Sequence, residues 1–252
     1  MRNRNGHNHY LHLKNAQIIP SAGLRATHDN MKDVLDVKGM MCVHGAAGLG
    51  KTLSTTASLH ELAPDATIRV QFRSRPTPSD IRTLLFEQLH IQGRMPALAA
   101  ERDNLLKKVL SERFRAVVCD EAQWMSTECF EYCRHLWDDD QTDMAIIFVG
   151  GGDCYRVLRR EPMLASRVFI WQEFKPLTQE EVVTYIPVYH PVWTNADPDD
   201  ILFVNTHAAH GNLRAWAKIT AHTLIGVQRA DLETPNRDIL QWVFSRLGGM
   251  YG

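Results

Sequence analysis

Apolar positions fall into short continuous runs separated by stretches with helical spacing, and this alternation becomes regular from residue 38 onward. Met40 to His44 reads as a buried strand, followed by a glycine-rich turn and by Lys51 to Leu62, a helical stretch free of proline and glycine. Thr67 to Arg73 alternates as a second strand. Pro76 and Pro78 mark a turn, and Ser79 is expected to cap a helix running to about Leu89 on the apolar face of Ile81, Leu84, Leu85 and Leu89. After a loop around Gly93 to Pro96 comes a helix ending near Glu112. Then follow a buried strand, Ala116 to Cys119, a helix over about Thr127 to Trp137, and a strand, Ala145 to Val149; Val168 to Phe174 supplies a fifth strand. Strands alternating with helices predict an α/β fold, a five-stranded parallel sheet with helices on both faces. Beyond Lys175 strand signals stop. Thr178 with Glu181 forms a capping box, Asp197 to Ala209 and Asn212 to Gln228 read as helices, and Thr234-Pro235 opens a last one. The pattern divides the chain into a leader (1–37), an α/β domain (38–175) and a small C-terminal helical lid (176–252).

Composition sharpens this only at a few points. With 252 residues, 44% apolar and 23% charged, wholesale disorder, collagen and coiled coil are excluded. Lys and Arg number 28 against 29 Asp and Glu, so binding to nucleic acid must come from a local patch. No apolar run approaches the ~20 residues of a membrane-spanning helix, and MRNRNGHNHY lacks the apolar core of a secretory signal, which predicts a cytoplasmic chain without membrane association. Cys42, Cys119, Cys129, Cys133 and Cys154 read as reduced packing residues. Cys129, Cys133 and His135 share a helix region but lack a fourth metal ligand. The leader carries Arg2, Arg4, Lys14 and Arg25 with His7, His9, His12 and His28 and no acid up to residue 28. It reads equally as a solvated, partly disordered tail or as an arm that meets phosphate or a neighbouring subunit. Asp138 to Asp140 reads as a solvated helix end.

The sharpest chemical signal is Gly45-Ala46-Ala47-Gly48-Leu49-Gly50-Lys51-Thr52, which satisfies G-x-x-x-x-G-K-[ST] between a predicted strand and a predicted helix. Glycines let the backbone curl around a phosphate and turn its N–H groups inward, and the following helix presents the positive end of its dipole to the same anion. In this pattern Lys51 reaches the β- and γ-phosphates of ATP, and the Thr52 hydroxyl ligates Mg²⁺. The buried run Ala116 to Cys119 ends in Asp120-Glu121, which reads as a Walker B motif. Asp120 lies beside the metal, and Glu121 orients and polarises the attacking water. A second acid directly after the metal-binding one points to water as acceptor, and so to ATP hydrolysis.

With these residues the chain resembles the AAA+ ATPases and, within them, the transposition regulators of the MuB, TnsC and TniB type, through Asp120-Glu121-Ala122-Gln123. The resemblance spans about residues 38 to 230. It implies an arginine that reaches the γ-phosphate of the next subunit from a short helix before the fifth strand. Met163-Leu164-Ala165-Ser166-Arg167 matches, with Arg159 and Arg160 as competitors. It also implies a sensor 2 motif at Gly211-Asn212-Leu213-Arg214, where Asn212 caps a helix and Arg214 leans onto the nucleotide phosphates. The sequence departs from the family where a polar sensor 1 residue follows the fourth strand, since Gly150-Gly151-Gly152 stands there. Hydrolysis is therefore expected to be slow or partner-stimulated.

In these regulators ATP-bound subunits assemble around duplex DNA, and the loop after the second strand touches the backbone. The matching residues are Arg73 and Arg75, with Arg82 in the next helix. No helix-turn-helix is expected ahead of the first strand. The resemblance implies a homo-oligomeric DNA-binding ATPase that acts as a target-site adaptor for a transposase. Two alternatives stay open: a nucleotide-switched AAA+ scaffold that binds no DNA, and a monomeric P-loop kinase.

Overall fold

A computed structural model describes residues 13–72 and 75–248. The described residues divide into two compact units, one of residues 26–47, 51–72 and 75–174 and one of residues 13–25, 48–50 and 175–248. The elements in chain order are α1 (Ala22–Asp36), β1 (Met40–Gly45), α2 (Lys51–Leu62), β2 (Thr67–Gln71), α3 (Pro78–Gln88), α4 (Ala99–Glu112), β3 (Arg115–Asp120), α5 (Thr127–Trp137), β4 (Met144–Val149), α6 (Cys154–Arg159), α7 (Pro162–Ala165), β5 (Val168–Phe174), α8 (Gln179–Tyr189), α9 (Pro198–Val204), α10 (Leu213–Ala230) and α11 (Arg237–Arg246).

The five strands form one parallel sheet in the order β2-β3-β4-β1-β5. β3 and β4 are buried along their whole length, as strands covered on both faces must be. Alternate side chains go to opposite faces. Met40, Cys42, Val117, Cys119, Ile146 and Phe148 join one core with α3, α4 and α5. On the other face Val118 and Val149 line a cavity of ≈ 260 Å³ with Thr55 and Leu59 of α2. The order puts β1 between β4 and β5 and β3 beside β4, so the carboxyl ends of β1, β3 and β4 lie together at the centre of one sheet edge. Open parallel sheets bind ligands at that edge.

Three expectations need correction. Residues 22–36, placed in the leader (1–37), form α1, because Thr27, Met31 and Val34 recur at helical spacing and are buried. The Gln172 side chain of β5 donates to Thr27 Oγ1 at 2.9 Å and accepts from Asn30 Nδ2 at 3.0 Å, which fixes α1 to the edge strand. The residue that caps α3 is Thr77, not Ser79. Thr77 and Asp80 form a reciprocal capping box with Pro78 at the first helical position. The acidic run at the end of α5 is not simply solvated: Asp138 pairs with Arg134 and Arg167, and Asp139 with Lys107.

The second unit is helical. Its core holds Val182, Ile186, Trp193, Ile201, Trp216, Leu240 and Val243. Trp193 and Trp216 meet edge to face at 5.5 Å, and Trp193 Nε1 donates to Thr220 Oγ1. The predicted helix Asp197 to Ala209 is α9 followed by a π-helical turn, Asn205–Ala209. Residues ahead of α1 belong to this unit: Ile19 is buried in its core, and Gln17 N donates to the Tyr189 carbonyl at 2.8 Å. Among the described residues no helix is long and apolar enough to cross a membrane.

Candidate active site

β1 leaves the sheet at Gly45, with φ at +141°. A Cβ there would lie 2.5 Å from the Phe174 carbonyl oxygen of β5, so only glycine permits the turn. Gly48 and Gly50 also have positive φ, which curls the loop back to open α2 at Lys51. Lys51 is 8% exposed. Its ammonium donates to the carbonyls of Gly45 at 3.0 Å and Ala46 at 2.8 Å. A phosphate oxygen is a stronger, charged acceptor than either carbonyl. With the positive end of the α2 dipole, Lys51 fits the polyphosphate of a nucleotide.

Asp120 ends β3 and is 3% exposed. The Thr52 hydroxyl on α2 lies 3.5 Å from both of its carboxylate oxygens, and such paired hard oxygens suit Mg²⁺. Arg69 of β2, absent from the sequence reading, forms an ion pair with Asp120 Oδ2. Its signal was a lone arginine inside an apolar strand whose neighbour ends in an acid. A cation held at Asp120 would have to share the carboxylate with that guanidinium or displace it. Glu121 follows in the left-handed region, φ 60° and ψ 37°, a conformation that costs a non-glycine residue ~1 kcal/mol. That twist lets its own N–H donate to Asp120 Oδ1 at 3.0 Å. The Glu121 carboxylate accepts from Gln123 Nε2 at 2.5 Å. Lys51, Thr52, Asp120 and Glu121 thus lie within one unit on adjoining strand and helix ends.

The arginines fare differently. Arg167, just after α7, donates from Nε to Asp138 Oδ1 and from Nη1 to the Met163 carbonyl, each at 2.6 Å. Burial pushes the Asp138 carboxyl up, but the hydrogen bonds from Arg167 and Arg134 outweigh it and hold it below the ordinary carboxylate range. Arg159 lies 4.5 Å from the Trp171 ring centroid. Arg160 is exposed. Arg214 is exposed in the first turn of α10, where Asn212 Oδ1 accepts from the amides of Arg214 and Ala215. The Arg214 amide also lies 3.0 Å from the Gly48 carbonyl in the same unit.

Of the expected DNA contacts, Arg73 lies outside the described residues and Arg75 is exposed. Arg82 departs from the expectation. Its guanidinium forks onto Asp103 of α4 at 2.7 and 3.0 Å and sits 4.3 Å from the Tyr132 ring centroid, with 16% of the side chain exposed. A phosphate contact at this position would have to share the guanidinium with Asp103. Cys129 Sγ reaches the Pro76 carbonyl, and no cluster of three metal-ligating side chains occurs among the described residues.

Fold and strand-end geometry together define a P-loop AAA-type fold. Residues 34–158 match the model of the AAA domain. The Aeropyrum pernix ORC2 protein, solved in ADPNP and ADP complexes, superposes with a TM-score of 0.71 at 14% identity over 91% of this chain and 69% of that one. Cdc6p from Pyrobaculum aerophilum gives 0.70 at 16% over 92% and 69%. The RuvB Holliday junction branch migration motor of Thermotoga maritima gives 0.62 at 14% over 89% and 67%. The chain thus spans about two thirds of the length of these proteins. No curated protein is significantly similar in sequence.

Proposed function

We propose that this chain is a magnesium-dependent AAA+ ATPase that assembles with copies of itself on duplex DNA and serves a transposase as target-site adaptor or regulator. The observation that carries the ATPase reading is the convergence of Lys51, Thr52, Asp120 and Glu121 at the carboxyl edge of the sheet. Bound ATP and Mg²⁺ would supply a phosphoanhydride whose charge is already partly neutralised. Gly45, Ala46, Ala47, Gly48, Leu49 and Gly50 would cradle the phosphates, Lys51 would hold the terminal ones, and Thr52 with Asp120 would hold the cation. Glu121 would align a water and accept its proton. In this reading Arg167 acts on the nucleotide of a neighbouring copy, and Arg214 responds to the nucleotide from the lid, here residues 176–252.

The transposition role rests on the Asp120-Glu121-Ala122-Gln123 motif and the two arginine positions. DNA binding draws support from exposed Arg75, from Arg73 beside it in sequence, and from fold relatives solved on DNA, among them Aeropyrum pernix ORC1 and Drosophila ORC. One observation favours the DNA-free scaffold instead: Arg82 is committed to Asp103, which thins the arginine track. Electron microscopy with a non-hydrolysable ATP analogue, with and without duplex DNA, separates the two. Rings or filaments that form on DNA only with the analogue support the proposal, and assembly indifferent to DNA supports the scaffold.

A further inference from the structure

The loop after β4 offers no side chain to the reaction. Gly150, Gly151 and Gly152 have none, and Asp153 is engaged by Arg156 of α6. Its backbone is nonetheless connected to Glu121. Gly151 N–H donates to Gln123 Oε1 at 2.9 Å, and Gln123 Nε2 donates to the Glu121 carboxylate at 2.5 Å. A carboxylate only accepts and a peptide N–H only donates, so these partners fix which end of the amide faces which. The arrangement is tightly built. A Cβ on Gly150 would come within 2.6 Å of Gln123 Oε1 and 2.5 Å of Cys154 Cβ. Ala122, fully buried, anchors the 3₁₀ turn that carries Gln123. Gly150 N–H donates to the Val43 carbonyl of β1 at 3.0 Å, two residues before the phosphate loop begins. The connection therefore runs from β1 through the loop after β4 to Glu121.

We infer that Gln123 is a positioning residue that takes over the task of the missing polar side chain after β4: it holds the Glu121 carboxylate in one orientation and ties it to the Gly150–Gly152 loop. This rests on the reading of Glu121 as the water-orienting acid. Only a side chain with a donor and an acceptor at opposite ends of a planar group can bridge a carboxylate and a peptide N–H in this way, and Asn is one methylene too short.

The test uses the full chain and the variants Gln123→Ala, Gln123→Asn and Gln123→Glu. For Ala and Asn, kcat for ATP hydrolysis is expected to fall ~10- to 100-fold, the scale of a lost positioning contact. KM and the affinity for a non-hydrolysable analogue are expected to stay within about twofold. In Gln123→Glu a second carboxylate replaces the amide donor and faces Glu121, so kcat is expected to fall at least as far as in Gln123→Ala, again with analogue affinity kept. Hydrogen exchange at the Gly151 amide reads the bridge without turnover, and its protection is expected to drop in Gln123→Ala. Unchanged protection, kcat within twofold of wild type, or parallel loss of kcat and analogue affinity each overturns the inference. Absence of turnover in the wild-type protein overturns the ATPase reading instead, and the exchange measurement still decides whether the bridge exists.

Discussion

Lys51 and Arg82 are both basic side chains near the start of a helix that follows a strand, and their surroundings differ in origin. Lys51 is held by carbonyls five and six residues earlier in its own loop. Arg82 is held by Asp103, 21 residues on, and that acid also accepts from Tyr132. The lysine's partners are set by the backbone of the motif that contains it. The arginine's partners exist only once α3, α4 and α5 have packed. Charge near a turn therefore suggests a ligand contact only where local backbone geometry already fixes the side chain's surroundings.

The largest effect expected from this contrast is at the local end. Lys51→Ala is expected to weaken ATP affinity at least ~100-fold, since the buried charge that faces the phosphates is lost. Titration with a fluorescent nucleotide measures this, and retained affinity would detach the loop from nucleotide binding. Next comes Arg167, a non-local case like Arg82 but with a functional role proposed for it. If it completes a neighbour's site, Arg167→Ala is expected to lower turnover ~100-fold or more. Loss of its partly exposed pair with Asp138 changes stability by no more than ~1 kcal/mol. Turnover that ignores both the substitution and dilution would make Arg167 a structural clasp of the kind Arg82 is.

Arg82→Ala is expected to act on stability alone. Asp103 is left half-buried with Tyr132 as remaining partner, at a cost of about 1–3 kcal/mol in urea denaturation. Affinity for duplex DNA is expected to hold, whereas Arg75→Ala is expected to reduce the slope of log K against log salt by about one. A reduced slope for Arg82→Ala would return that residue to the DNA track.

The same distinction explains what was legible beforehand. The five strands, the phosphate loop and the strand-end acids follow from short-range pattern, and each lies within a few residues of its expected position. α1 was missed because its buried face is only Thr27, Met31 and Val34 within a polar stretch, and its partner Gln172 lies far along the chain. Arg69 on Asp120 and Gln123 between Glu121 and Gly151 were missed for the same reason: each needs neighbouring strand ends to be brought side by side. Glu121's left-handed backbone left no mark either, because glutamate is an ordinary residue after a strand.

His190 extends the comparison to a neutral group whose partner is 176 positions away. It is 3% exposed. Val192 N–H donates to its Nδ1 at 3.1 Å, so the ring proton sits on Nε2 and donates to the Lys14 carbonyl at 3.0 Å. Protonating Nδ1 would forfeit the bond from Val192 and charge a buried ring. Burial accordingly pushes its pKa below 6.5, only partly countered by the Lys14 carbonyl, and burial lowers His44 and His222 as well. The folded protein therefore binds fewer protons than the unfolded chain as pH falls through 6.5. Stability is complete above that value and declines as pH drops toward the folded-state pKa, by at most ~1.4 kcal/mol per pH unit for each histidine. Urea midpoints between pH 7.5 and 5.5 are expected to fall, and His190→Gln to fall less steeply, with a lower midpoint at pH 7.5 where its two bonds are lost. A slope identical to wild type would show that burial and the Val192 N–H do not keep this ring neutral, and that His190 contributes nothing to the pH dependence.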